Sequence, residues 1–202
     1  MRAPTKSSGT LPRSFYARDT ELVARELLGC VLETRTRNTR TAGRIVEVEA
    51  YLGPDDPASH SAKWRKTTRN EAMYGPPGTA YVYRSYGVHW CFNVVTQQSG
   101  FPAAVLVRAL EPIAGATVMA RRRGFRNARL LCSGPGRLCE ALAITDRLNG
   151  MPLNGTRVRL KRVAGAPRGS EIGSGPRIGI SRAVDWPLRF FVSDSPWLSR
   201  RG

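Results

Sequence analysis

Histidine is nearly absent from this chain of 202 residues, which carries only His60 and His89. It has four cysteines (Cys30, Cys91, Cys132 and Cys139), and none forms a CxxC pair. The clustered donors of a structural zinc site are therefore missing, and no metal or other cofactor is expected. Each cysteine lies in an apolar stretch such as "LLGCVL" or "RLCEAL", the setting of a buried, reduced thiol in a cytosolic protein. No apolar run approaches the roughly 18 residues of a membrane helix. The first residues, "MRAPTKSSGT", lack the apolar centre of a secretion signal. The expected location is the cytoplasm, with no membrane partner. Acidic residues are few, fifteen against thirty-two basic, for a net charge of +17. Lysine is scarce too (Lys6, Lys63, Lys66 and Lys161), so arginine carries the excess. Genome composition can produce an arginine bias, but so large an excess also draws polyanions through counterion release and steering. The candidate partners are DNA, RNA or an anionic membrane surface.

What is present reads as one globular domain. Hydrophobic residues make up 41% and charged residues 23%, outside the range of disordered chains. There are no repeats and no linker long enough to divide the chain. Residues 1–12 are polar and read as a flexible tail; residues 13–202 form the domain. Asp19 can cap a helix reaching about Leu28, with Leu22, Val23, Leu27 and Leu28 on its buried stripe. "GCVLETRT" and "GRIVEVEAYLG" read as strands, the second with period-two alternation. Residues 53–79 are a long connection, a length that in a compact domain usually serves function. "TAYVYRSYGVHWCFNVVT" predicts a hairpin turning at Tyr86-Gly87, and "AAVLVRALEP" a further strand. "GATVMARRRGF" and the end of "SGPGRLCEALAI" read as helices, and residues 164–176 as a Gly/Pro/Ser loop. "RIGISRA" and "LRFFVS" are the closing strands. The fold class is α+β: a single mixed domain with a largely antiparallel, curved sheet and a protruding hairpin.

Alternate side chains of a strand share a face. In "RIVEVEAY", Val46, Val48 and Ala50 then face the core, while Glu47, Glu49 and Tyr51 line a solvated face or a pocket wall. The stretch that follows offers His60, then Lys63, Arg65, Lys66 and Arg69 among Thr67 and Thr68, a density that suits a phosphate track or a solvated charge run. In the hairpin, Tyr81, Tyr83 and Ser85 share a face. Beyond the turn, His89, Cys91 and Asn93 alternate with Trp90, Phe92 and Val94. Tyr86 stands at the tip, where burial offers a ring little. Insertion into a base stack, filling the hole left by an extruded nucleotide, is one physical use for it. Arg108 lies inside an apolar run, so a carboxylate should sit beside it, either Glu111 or Glu49.

Taken together, "VEVEAYLGPDDPASHS", "PGTAYVYRSYGVHWCFNV", "VLVRALEP", "GPGRLCEALAI" and "PLRFFVSDSPWLS" resemble the alkyladenine (3-methyladenine) DNA glycosylase family, in family order from about residue 12 onward. The resemblance implies a monomeric enzyme that binds the minor groove of damaged double-stranded DNA. It would flip an alkylated purine into a pocket and hydrolyse its N-glycosidic bond. By position, Glu49 matches the water-activating carboxylate and Arg108 the arginine at the catalytic end. Tyr51 and Tyr83 match the aromatic plates around the base, His60 the histidine on its edge, and Asn93 the residue that crowds the amine of guanine. Tyr86 matches the intercalating residue, and Arg65 and Thr67 lie where the family contacts the DNA backbone. His89 and Trp90 stand where other aromatics or Met are common.

The chemistry is consistent with that resemblance. An alkylated purine is cationic, so two tyrosine rings would hold it by about 1–2 kcal/mol each. It is already a good leaving group, so one ionised carboxylate can deliver water and stabilise the sugar cation. Arg108 beside Glu49 should keep it ionised. Only Lys63 and Lys66 fall near the pocket segments, which predicts hydrolysis without Schiff-base strand cleavage, a monofunctional glycosylase. Two other classes compete. A non-enzymatic nucleic-acid binder needs only the basic charge and the aromatics. A carbohydrate glycosidase would use Glu47 and Glu49, about 7 Å apart on one strand face, but leaves the charge unexplained.

Overall fold

The computed structural model describes residues 9–37, 39–124, 126–164 and 171–200. Helices α1 (Arg13–Tyr16) and α2 (Thr20–Leu27) precede strands β1 (Val31–Thr36) and β2 (Thr39–Tyr51). After the long connection come β3 (Ala80–Ser85), β4 (His89–Thr96) and β5 (Ala103–Ala114). Helices α3 (Ala116–Arg123) and α4 (Pro135–Leu142) follow, then β6 (Val158–Lys161), β7 (Ile172–Gly175) and β8 (Arg189–Val192). All pairings between these strands are antiparallel, in the order β3-β4-β5-β2-β1-β6. The sheet forks at β2. Its first half pairs β1, while Glu47, Val48 and Glu49 pair β8, which in turn pairs β7.

Cross-strand register sorts the side chains onto two faces, because directly opposed residues point the same way. Ala80, Val94, Val105 and Ala50 stand opposite one another across β3, β4, β5 and β2, and all four are fully buried. They belong to the main core with Phe92, Val107 and Phe190, on the face that α2 and α4 cover. The next row, Tyr81, Asn93, Leu106, Glu49 and Arg189, faces the other way. Helix α2 is capped by Asp19, which accepts from the Leu22 N–H at 3.0 Å, and buries Val23, Ala24 and Leu27. Helix α4 begins with Pro135, whose fixed φ suits a first turn, and buries Leu138, Cys139, Ala141 and Leu142. The four cysteines are free and buried.

Several expectations need correction. Leu22 is 44% exposed; it sits one position outside the stripe of Val23, Ala24 and Leu27. Val46 is buried as expected, but it has no opposite residue on β5: a β-bulge shifts the inward phase, and Ile45 takes the place beside Val48 and Ala50 in the main core. Arg108 forms a second bulge between Val107 and Ala109, which restores the register. "RIGISRA" is loop, and the strand lies earlier, at Ile172–Gly175, inside the stretch read as loop. The physical reason is that Arg177 is buried in an ion pair and the Ile178 N–H bonds a carboxylate instead of a neighbouring strand. Residues 1–8 of the expected tail lie outside the described residues, whereas Leu11 is buried and donates its N–H to Leu160. Among the described residues, no helix is long and apolar enough to cross a membrane.

Candidate active site

The non-core face of the sheet carries a cavity of about 830 Å³. Its floor is Asn93 and Cys91 of β4 with Leu106 of β5. Tyr81 and Tyr83 on β3 and Tyr51 at the end of β2 also line it. The loop after β7 closes the far side through Ile178, Gly179 and Ile180. Arg65, Arg69, Arg84 and Arg182 also line it, giving a cationic rim around an aromatic interior.

Two fully buried carboxylates lie at the β2 end, and their hydrogen bonds distinguish them. Glu47 Oε1 accepts from Arg108 Nε (3.1 Å), Arg189 Nε (2.9 Å) and the Ser199 hydroxyl (2.8 Å), and its Oε2 accepts from the Ser199 N–H (2.6 Å). Glu47 thus accepts four donors, three of them on Oε1, and of the residues that supply them Arg108 lines the cavity while Arg189 and Ser199 do not. Glu49 Oε1 accepts from the Ile178 N–H at 2.7 Å and pairs with Arg108 Nη1 at 3.1 Å, while Oε2 accepts from the Tyr51 hydroxyl at 3.0 Å. All three residues that hold Glu49 (Ile178, Arg108 and Tyr51) line the cavity, so the two carboxylates stand differently toward it. Glu111, the other candidate partner of Arg108, pairs with Arg44 instead.

Burial is the largest influence on Glu49 and raises its pKa above the ordinary carboxylate value. Arg108, the Ile178 N–H and the Tyr51 hydroxyl pull it back, and the Glu47 charge adds to the rise. The ion pair with Arg108 thus opposes the desolvation that burial imposes. Burial, followed by the neighbouring Glu49 charge, pushes the Tyr51 phenol upward, so it stays protonated and donates. Glu49 itself does not line the cavity; Tyr51, Arg108 and Ile178 stand in front of it.

His60 reaches the cavity from the long connection, and its Nδ1 lies 2.8 Å from the Tyr81 hydroxyl. Its ring meets that of Tyr83 edge-on at 4.6 Å. Part of the imidazole is open, but burial of the rest and the Arg69 cation hold its pKa down at about 4. It is neutral at pH 7. Either partner can donate in the contact between His60 Nδ1 and the Tyr81 hydroxyl, and the imidazole tautomer sets which one does. Asn93 is nearly buried and donates to the Tyr81 carbonyl at 3.0 Å, which fixes its amide against the floor. Tyr81 and Tyr83 lie 5.3 Å apart, and the Arg69 guanidinium sits 4.9 Å from the Tyr83 ring centroid.

Tyr86 is 91% exposed at the hairpin tip, with φ of 49° followed by Gly87 at 69°. Two successive left-handed residues make the tight turn that throws the ring outward. His89 packs against Gly136 rather than lining the cavity. Arg65 is exposed at the cavity mouth. Thr67 is also exposed, but its N–H (2.7 Å) and hydroxyl (3.1 Å) both donate to Asn70 Oδ1, so the donors a phosphate needs are engaged within the loop.

The structure brings Glu49, Arg108, Tyr51, His60, Tyr83 and Asn93 into one site, with Tyr86 and Arg65 on its rim. Sequence reading missed the residues that hold them. Asn70, buried at the base of the basic loop, also donates to the carbonyls of His60 (3.0 Å) and Arg65 (2.8 Å). Asp56 takes both ends of the Arg177 fork and accepts from the Leu52 and Ala58 N–H groups, locking the Ile178 loop to the end of β2. The Arg177 guanidinium also lies 4.7 Å from the Tyr51 ring centroid. A polar residue amid prolines and glycines carries no periodic signal, so only Glu47, through its phase with Glu49, was visible beforehand.

Comparison with known proteins agrees with this geometry. The model of the family described as methylpurine-DNA glycosylase matches residues 14–196. A Methanoculleus marisnigri protein named "Putative 3-methyladenine DNA glycosylase" is 52% identical, over 95% of this chain and 100% of its own length. Proteins of the same name from Rhodopseudomonas palustris (49% identical; 98% of this chain, 96% of the relative) and Koribacter versatilis (50%; 94% and 92%) are similar to it throughout. With a buried carboxylate held by three residues that line an aromatic, arginine-rimmed cavity, and with these matches along its length, the chain belongs to the methylpurine-DNA glycosylase family and is a DNA glycosylase, a hydrolase of N-glycosyl bonds.

Proposed function

We propose that the protein, as a monomer at the nucleoid in the cytoplasm, flips alkylated purines such as 3-methyladenine out of duplex DNA and hydrolyses their N-glycosidic bond. The observation that carries this reading is Glu49, the buried carboxylate whose three partners all line a cavity whose tyrosines suit a cationic ring. Tyr51 and Tyr83 stack on the base, and His60 and Asn93 meet its polar edges. Tyr86 fills the vacated place in the helix. Glu49 takes a proton from water as the water attacks C1′, and its charge stabilises the developing sugar cation. The bond to the purine nitrogen breaks with its electron pair going to the base, which leaves neutral. Arg108 stabilises the ionised form of Glu49 that this step requires.

Among the described residues, none of the cavity-lining side chains is a lysine, which supports water rather than an amine as nucleophile. The test is incubation with methylated duplex DNA. Free 3-methyladenine and an intact abasic strand are expected. No released purine, or a covalent DNA complex trapped by borohydride, overturns the reading.

A further inference from the structure

Arg108 divides its guanidinium between two carboxylates. Its Nε lies 3.1 Å from Glu47, its Nη1 lies 3.1 Å from Glu49, and its Nη2 reaches the Ser199 hydroxyl at 3.4 Å. An arginine bound to one carboxylate alone would turn both arms of its fork toward it. Here the far arm is held by groups that face away from the cavity. Glu47 is anchored in turn by Arg189 and by both donors of Ser199, and Arg189 Nη2 donates to the Arg200 carbonyl at 2.7 Å. The stretch at 199–200 is thus tied by four hydrogen bonds to Arg189 and to Glu47 and Arg108, the last two far from it in sequence.

We propose that Glu47 and Ser199 are positioning residues of base release: together they hold Arg108 so that one guanidinium arm rests on Glu49. The inference rests on the function proposed above. Ser199 supplies the hydroxyl and the N–H that keep Glu47 aimed at Arg108 Nε. Glu47 keeps Arg108 from collapsing onto Glu49. Among the described residues, the charged and titratable groups around Glu49 are Glu47 and Tyr51 of β2, Cys91 of β4, Arg108 of β5, Arg189 of β8 and Arg177 in the loop after β7. Removing the Glu47 charge leaves Arg108 to Glu49 alone, which favours the ionised carboxylate.

The experiment is single-turnover base release from methylated duplex across pH, with lesion-duplex affinity and thermal denaturation measured beside it. Ser199→Ala is expected to slow release roughly ten- to a hundredfold at unchanged affinity, the scale of a misplaced catalytic group. Ser199→Thr, which keeps the hydroxyl, should restore the rate. A wild-type rate in Ser199→Ala overturns the inference, as does a fall in rate that only tracks lost affinity and lost stability. Glu47→Gln should also be slow, with the acid limb of its profile moved to lower pH. A folded Glu47→Gln protein whose limb stays in place overturns the role of its charge. Should that variant not fold, the Ser199 pair decides. If wild type releases no base, the proposed function fails; if wild type and Ser199→Ala release it equally, only this inference does.

Discussion

Replacing Glu49 by Gln changes one oxygen to an amide nitrogen and little else in shape. Oε1 can still accept from the Ile178 N–H, now 2.7 Å away, and the Tyr51 hydroxyl can reverse to accept from the new amide. Arg108 keeps Glu47 as a partner. The variant should therefore fold and bind lesion duplex about as well as wild type. What it loses is a base. General-base catalysis contributes roughly two to four decades of rate, which at 1.36 kcal/mol per decade is about 3–5 kcal/mol of barrier. The pH profile adds a sharper requirement. Only ionised Glu49 can take a proton, and burial raises its pKa. The wild-type rate should thus fall with decreasing pH at a higher pH than an ordinary glutamate, about 4.3, would give. The residual rate of Glu49→Gln should lack that limb. His60, already at about 4, should add no step between pH 5 and 8. The assay is single-turnover release of 3-methyladenine, with affinity followed by fluorescence anisotropy. A Glu49→Gln rate within about threefold of wild type, or a limb shared by both proteins, would refute the assignment.

Tyr86→Ala removes a ring that is almost wholly exposed, so stability should be unchanged while lesion-duplex affinity falls on the order of tenfold, the scale of one lost stacking contact; equal affinity sinks the wedge. Asn93→Ser opens the floor beside Tyr81 and should raise excision of guanine relative to alkylated adenine; an unchanged ratio removes Asn93 from discrimination. Asp56→Asn breaks a fully buried ion pair, at about 3–5 kcal/mol, and should lower Tm by roughly 6–20 °C in a domain of this size. A Tm within about 2 °C of wild type would show that the pair does not hold the Ile178 loop.

The parts of this molecule that repeat with a strand's period were legible before the fold was known. Alternation in β2 placed Glu47, Glu49 and Tyr51 together, and alternation across Tyr86-Gly87 separated Phe92 and Val94 from Cys91 and Asn93. The roles assigned to the site residues came from resemblance, and the geometry then supplied a reason to prefer Glu49 over Glu47. The bulges at Val46 and Arg108 were invisible, because one inserted residue looks like a change of phase. The Ile178 loop was misread as strand for a related reason. Its apolar residues have a strand's spacing, but its backbone is committed to Glu49 and to the Arg177 anchor, partners that only tertiary structure supplies.

Tyr81, Asn93, Leu106 and Glu49 form a single row on the non-core face of the sheet, aligned by three strand pairings, of which that of β2 with β5 joins segments distant in sequence. The neighbouring row, Ala80, Val94, Val105 and Ala50, is core. A slip of one residue in any pairing would exchange the two sets on that strand, placing alanine or valine in the cavity and a polar side chain in the core. Assembly errors and loss of activity are therefore the same event. A preparation of this enzyme should contain competent molecules and misfolded ones but few folded, inactive ones, so the active fraction from a burst titration should equal the fraction that melts cooperatively.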